Sequence, residues 1–176
     1  MELKNEQQLP AFVLAELYGK SLVYIDEEIK PKKVVVTETK KLPKQYLGDY
    51  QKKIIVLVND EENIYVSDEN LQFLSGILNA CKLNLAHIAL MNFNINAESF
   101  SELKKELKPG YLLLFGINAL QIELPFAMPD YQVQEYDNCK ILVAPSLADL
   151  NNSSAHAIAE KKKLWKSLQK MFNLEK

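Results

Sequence analysis

Arginine is missing from this chain of 176 residues, so all 21 basic side chains are lysines. Arginine supplies the planar fork that grips phosphate or carboxylate at two points. Its absence excludes bidentate readout of guanine and an arginine finger from within the chain. Glycine is also scarce, with five residues. No glycine-rich phosphate loop follows Val58, and no GxSxG elbow surrounds Ser146. The two cysteines, Cys81 and Cys139, lie far apart in apolar segments, and the two histidines, His87 and His156, lack ligand spacing. The cysteines are expected to be small buried hydrophobes, and neither a metal site nor a cofactor is expected. No apolar run approaches a membrane span, and Met1–Glu6 does not begin a signal peptide, so the chain is expected to be cytoplasmic. The net charge of −2 argues against a surface that is one electrostatic trap for nucleic acid.

What is present is an ordinary globular composition, 48% hydrophobic and 25% charged, long enough to bury a core in one compact unit. Residues 9–18 (LPAFVLAELY) suit a short helix stopped by Gly19, and residues 22–25 and 34–36 suit strands. Residues 38–53 read as a linker or irregular surface connection. These residues, 1–53, form an N-terminal helix-strand segment and linker, ahead of an α/β core over residues 54–176. In the core, Ile54–Val58 is a continuous apolar strand. Ser67 caps a helix running to about Lys82, and Leu85–Met91 is a second strand. Asn96 is placed as the cap of a short helix that Pro109-Gly110 ends. Tyr111–Phe115 and Ile141–Ala144 are further buried strands, Tyr131–Tyr136 is extended, and Pro145-Ser146 opens a helix. The last helix, from about Ala155 to Phe172, is expected to bury Ile158, Trp165, Leu168 and Phe172. Strands apolar on both faces, alternating with amphipathic helices, predict an α/β fold. Its form is three α/β/α layers around a mostly parallel sheet.

In such a sheet ligands collect where the strands end. The turns there supply Asn59-Asp60, Asn92-Phe93-Asn94, Gly116-Ile117-Asn118 and Pro145-Ser146. Asn59, Asp60, Phe93, Asn118 and Ser146 make a candidate polar pocket with an aromatic wall, suited to a nucleobase or another planar ligand. The competing explanation takes precedence: Asn, Asp, Gly and Ser are the residues that turns and caps require. Asp60-Glu61-Glu62 reads as a solvated acidic turn, His156 as a surface residue, and His87 as a strand residue that hydrogen-bonds in the core. No nucleophile, base and orienting group assemble, so no catalytic residue is assigned. Two apolar segments suit protein contacts instead: Leu9, Phe12, Leu14, Leu17 and Tyr18 in the first helix, and the irregular stretch at residues 124–129.

The strand ends also carry a resemblance. Tyr111–Ala119 resembles the strand-plus-glycine segment of uracil-DNA glycosylases, and Ile141–Leu147 resembles the strand bearing their His-Pro-Ser-Pro loop. Pro145 and Ser146 match that loop, but Ala144 stands where the family keeps its catalytic His. The water-activating motif is reduced to Val58-Asn59-Asp60-Glu61. The resemblance thus implies the glycosylase-like fold without its catalysis.

The chain further resembles the psi-subunit family of bacterial DNA polymerase III, non-catalytic relatives with that fold. The matching residues are Leu14–Gly19, Val58-Asn59-Asp60, Ala144–Leu150 and Leu164-Trp165, while this chain is longer between Lys30 and Lys53 and over residues 117–138. The resemblance implies an adaptor in DNA replication that links the clamp loader to a chi-like subunit. Leu9, Phe12, Leu14, Leu17 and Tyr18 would make the clamp-loader contact. The alternative is a glycosylase-fold protein that binds DNA or a nucleobase at the strand-end pocket, which predicts a lysine-lined cleft. Direct nucleic-acid binding is left open, and no membrane partner is expected.

Overall fold

The computed structural model describes residues 46–174. The helix and strands expected at residues 9–36 therefore lie outside the described residues. The core opens with strand β1 (Ile54–Val58), whose five residues are all buried. Helix α1 (Asp68–Ala80) follows, capped by Ser67, whose hydroxyl accepts from the Asn70 N–H. Strand β2 is Ile88–Asn92, helix α2 is Phe100–Glu106, and strand β3 is Tyr111–Phe115. A hairpin of β4 (Val133–Tyr136) and β5 (Cys139–Ala144) comes next, then α3 (Leu147–Asn151) and α4 (Ala155–Met171).

The five strands form one sheet in the order β2-β1-β3-β5-β4. Four are parallel, and β4 joins the edge antiparallel to β5. The mostly parallel α/β architecture expected from the sequence is what the chain adopts. Alternation along the strands divides the core into two sets. Ile54, Val56 and Val58 face Leu74 and Leu78 of α1 and Leu164 and Leu168 of α4. Ile55 and Leu57 face Phe100 and Leu103 of α2 and the irregular segment through Ile117 and Ile122. Both faces of β1 are thus dry, which is why its sequence is a continuous apolar run.

Several local expectations change. The cap of α2 is Ser99, not Asn96: Ser99 and Glu102 form a reciprocal capping box, with the Glu102 carboxylate 2.8 Å from the Ser99 N–H. β2 begins later than its apolar run because Leu85–His87 make a single 3-10 turn. His87 therefore lies outside the strand, and its Nδ1 accepts from the Asn84 N–H at 3.1 Å. The end of the supposed linker also has structure. Leu47 exchanges backbone hydrogen bonds with Leu90 (2.9 and 2.8 Å), covering the open edge of β2. Gly48 permits that approach, since a Cβ there would run into the carbonyl oxygens of Ile88 and Leu85.

The last helix differs most. It buries Ala157, Leu164, Leu168 and Met171, but leaves Ile158 49% and Trp165 36% exposed. Its apolar stripe is wider than the surface beneath it.

The β4–β5 hairpin turns on Asp137-Asn138, with φ of 47° and 56°. Two consecutive residues with positive φ are the signature of a type I′ turn. The Asp137 carbonyl also accepts from Lys104 Nζ of α2. Asn138→Gly is expected to match or exceed the wild-type stability, whereas Asn138→Val should lose about 1–2 kcal/mol by urea denaturation. Equal stability of the two variants would contradict this turn.

Candidate functional site

The register of the sheet places Val58 beside both Asn92 and Phe115, and Phe115 beside Ala144. Four parallel strands therefore end in one row, and the turns that follow share one edge. β1 has β2 on one side and β3 on the other, so the chain reverses direction across the sheet at β1. In an open α/β sheet that reversal leaves a crevice outside the strand ends.

Gly116 brings the turns close together. It has φ of +71°, and a Cβ there would lie 3.1 Å from the Ser146 Cβ and 3.7 Å from the Asn59 Cβ. Glycine takes the left-handed turn without strain and leaves room for this approach, which a side chain would crowd against Ser146. The resulting cavity holds about 300 Å³, and its lining includes Asn59, Asp60, Ser67, Asn70 and Ser146. Three of the five expected pocket residues, Asn59, Asp60 and Ser146, thus meet. Phe93 instead packs half-buried against the core on the α2 side of the sheet. Asn118 forms a turn in which it and Gln121 exchange side-chain to backbone hydrogen bonds of 2.8 and 3.0 Å. Neither is in the lining, so the expected aromatic wall is not formed.

Asn92, Asp60 and Ser146 are each held in hydrogen bonds at this edge. Asn92, 2% exposed at the end of β2, donates to the carbonyls of Asp60 and Asn63, each at 2.7 Å. Its Oδ1 accepts from the N–H groups of Asp60 (3.3 Å) and Asn94 (3.1 Å). The Asp60 carboxylate accepts from the backbone N–H groups of Glu62, Asn63 and Ser67 and from the Asn63 amide. Ser146 caps α3: its hydroxyl donates to Asp149 Oδ2 at 2.6 Å and accepts from the Asp149 N–H at 3.1 Å. The Asn70 side chain accepts from the Asn151 amide at 3.3 Å. Ala144 is a buried strand residue.

Burial works against ionisation of Asp60. The Asn63 amide and the three backbone N–H groups outweigh it and hold the carboxyl below its ordinary value of 3.8. Another perturbed carboxylate, Glu98, lies outside this lining; burial, then Glu106 and Glu102, push its carboxyl up. Cys81 and Cys139 are free and buried, and burial raises their thiols to about 11 and about 12, so both stay protonated. His156 is exposed in the first turn of α4. Among the described residues, no three His, Cys, Asp or Glu side chains are grouped to hold a metal ion. No helix among them is long and apolar enough to cross a membrane.

Neither a family model nor a curated protein gives a significant match to this chain. The site must be interpreted from its own geometry.

Asn92 is the residue that sequence reasoning undervalued, having favoured its neighbour Phe93. Its signal was an amide closing an otherwise apolar strand, where it had to be buried and satisfied.

Asp60 gives this edge a pH dependence. The folded chain binds fewer protons there than the unfolded chain, so the contribution is full above the unfolded value. It is lost as pH falls through the lower folded value. Asp60→Ala is expected to cost about 1 kcal/mol at pH 7. The gap from wild type should narrow as pH is lowered below 3.8. Urea denaturation at pH 7 and in acid checks this, and a gap independent of pH would contradict it.

Proposed function

We propose that this chain is a non-catalytic adaptor in DNA replication, built on a glycosylase-like scaffold and working as the psi subunits do, between a clamp loader and a chi-like subunit. The observation that carries this reading is the commitment of Asn92, Asp60 and Ser146 to hydrogen bonds that hold the strand-end loops together, Asn92 across two loops and Asp60 and Ser146 within their own. A working glycosylase needs polar groups free to act on a flipped base and an attacking water. Here the corresponding positions hold loops together, and Ala144 is sealed in the sheet.

The alternative, DNA or nucleobase binding at this edge, calls for a lysine-lined cleft. The described residues lining the cavity include Asp60, Glu61 and Glu62 and no lysine. An acidic mouth repels a phosphate backbone, so the adaptor reading is favoured.

The clamp-loader contact is assigned to Leu9, Phe12, Leu14, Leu17 and Tyr18, outside the described residues. The double variant Leu14→Glu/Leu17→Glu of the full chain is expected to weaken capture of purified clamp loader at least about 30-fold. Its circular dichroism and chi-subunit binding should stay as in wild type. Unchanged capture would overturn the assignment. Salt-sensitive DNA binding with no clamp-loader capture would favour the alternative.

A further inference from the structure

The exposure of Trp165 belongs to a larger feature. Between α1 and α4 runs an apolar groove of about 340 Å³. Phe73, Gly76, Ile77 and Ala80 form its α1 wall, spaced three and four residues apart. Leu164, Trp165 and Leu168 form the α4 wall, and Lys161 closes one end with its Nζ 5.2 Å from the centre of the Phe73 ring. Leu164 and Leu168 are buried and make the floor, while Trp165 and the α1 residues Gly76 and Ala80 stand exposed above it, leaving a seat for a third helix.

Two observations say what kind of helix fits. The first is Gly76. Glycine inside a helix is destabilising relative to alanine. Yet a Cβ at Gly76 would meet nothing within 4 Å among the described residues, so their packing does not require it. A bare backbone in a groove wall lets another helix approach closely. The second is charge. By helical spacing, the outer rim of α4 beyond Ile158 and Trp165 carries Lys162 and Lys166. The helix's one acidic residue, Glu160, is buried on the other side and paired with Lys163 at 2.7 Å. The α1 rim presents Gln72 and Asn79, with Glu69 in its first turn. The cationic side is therefore the α4 side.

We infer that the α1–α4 groove is a docking site for an amphipathic helix of a partner protein whose flank facing α4 is acidic. This deepens the adaptor reading, on which it rests for the premise that the chain works by holding other proteins. The groove is separate in sequence from the surface assigned to the clamp loader.

The test uses the full chain and two designed 21-residue helical peptides. One has leucines at three- and four-residue spacing with glutamates along one flank; its twin has lysines in place of those glutamates. Trp165 is the sole tryptophan of the chain, so its emission reports the groove directly. The glutamate peptide is expected to bind saturably and shift that emission to the blue. The lysine twin should bind at least ~10-fold more weakly, and raising salt from about 0.05 to 0.5 M should weaken the glutamate peptide's binding.

Gly76→Leu should reduce binding at least ~10-fold, in keeping with an occluded close contact. Gly76→Ala should weaken binding while raising the melting temperature, which a merely structural glycine would not do. Equal binding of the two peptides, no binding of the glutamate peptide, or indifference to Gly76→Leu would each overturn the inference. So would sedimentation as a dimer with Trp165 already blue-shifted, because a second copy would then fill the groove. Leu14→Glu/Leu17→Glu should leave peptide binding unchanged. Lost clamp-loader capture in wild type with peptide binding intact would count against the adaptor reading alone, and the converse against the groove alone.

Discussion

Four backbone groups from two loops converge on one buried side chain, the amide of Asn92. Leaving any one of them unsatisfied inside the protein would cost about 1–3 kcal/mol, so the two loops are tied together. Asn92 stands beside Val58 at the end of the central strand, where the sheet passes from an apolar interior to polar turns. From there the constraint spreads. The loop it holds carries Asp60, whose carboxylate accepts from the N–H groups of Glu62, Asn63 and Ser67 and so reaches the start of α1. That start fixes where Leu74 and Leu78 meet the sheet.

The same constraint separates scaffold from function. An α/β sheet normally offers its strand ends to ligands because the turns there have hydrogen-bonding groups to spare. In this chain Asn92, Asp60 and Ser146 turn theirs to the loops around them, and Gly116 draws the Ser146 loop against Asn59. Among the described residues, apolar surface is instead left exposed on a helical face: Trp165, Ile158 and the bare backbone at Gly76. The proposed adaptor role rests on this contrast between a hydrogen-bonded polar edge and an exposed apolar groove.

Much of this architecture was legible in the sequence because burial on two faces leaves a plain mark. Ile54–Val58 and Tyr111–Phe115 were bounded to the residue, since a run apolar at every position and flanked by turn residues admits few other structures. Asn59, Asp60 and Ser146 were likewise placed together, because parallel strands bring their following turns to one edge. The failures have equally specific causes. Ser99 displaced Asn96 as a cap because Glu102 stands three residues on and completes the reciprocal bonds. Trp165 was expected to be buried because periodicity identifies an apolar stripe but not how much of it a neighbour covers. Phe93 was chosen over Asn92 because an aromatic ring suggests a ligand wall, whereas the demand for a buried hydrogen-bonding hub becomes visible only when β1 and β2 are set side by side.

The central claim is that Asn92 ties the strand-end loops together by hydrogen bonds in the free protein. The most direct measurement is hydrogen exchange of the Asn92 side-chain amide, followed by nuclear magnetic resonance on ¹⁵N-labelled full chain. Two short bonds to the carbonyls of Asp60 and Asn63 should slow its exchange at least ~100-fold relative to exposed asparagines such as Asn152. Exchange as fast as at those exposed side chains would mean that the edge stands open, and would contradict this account.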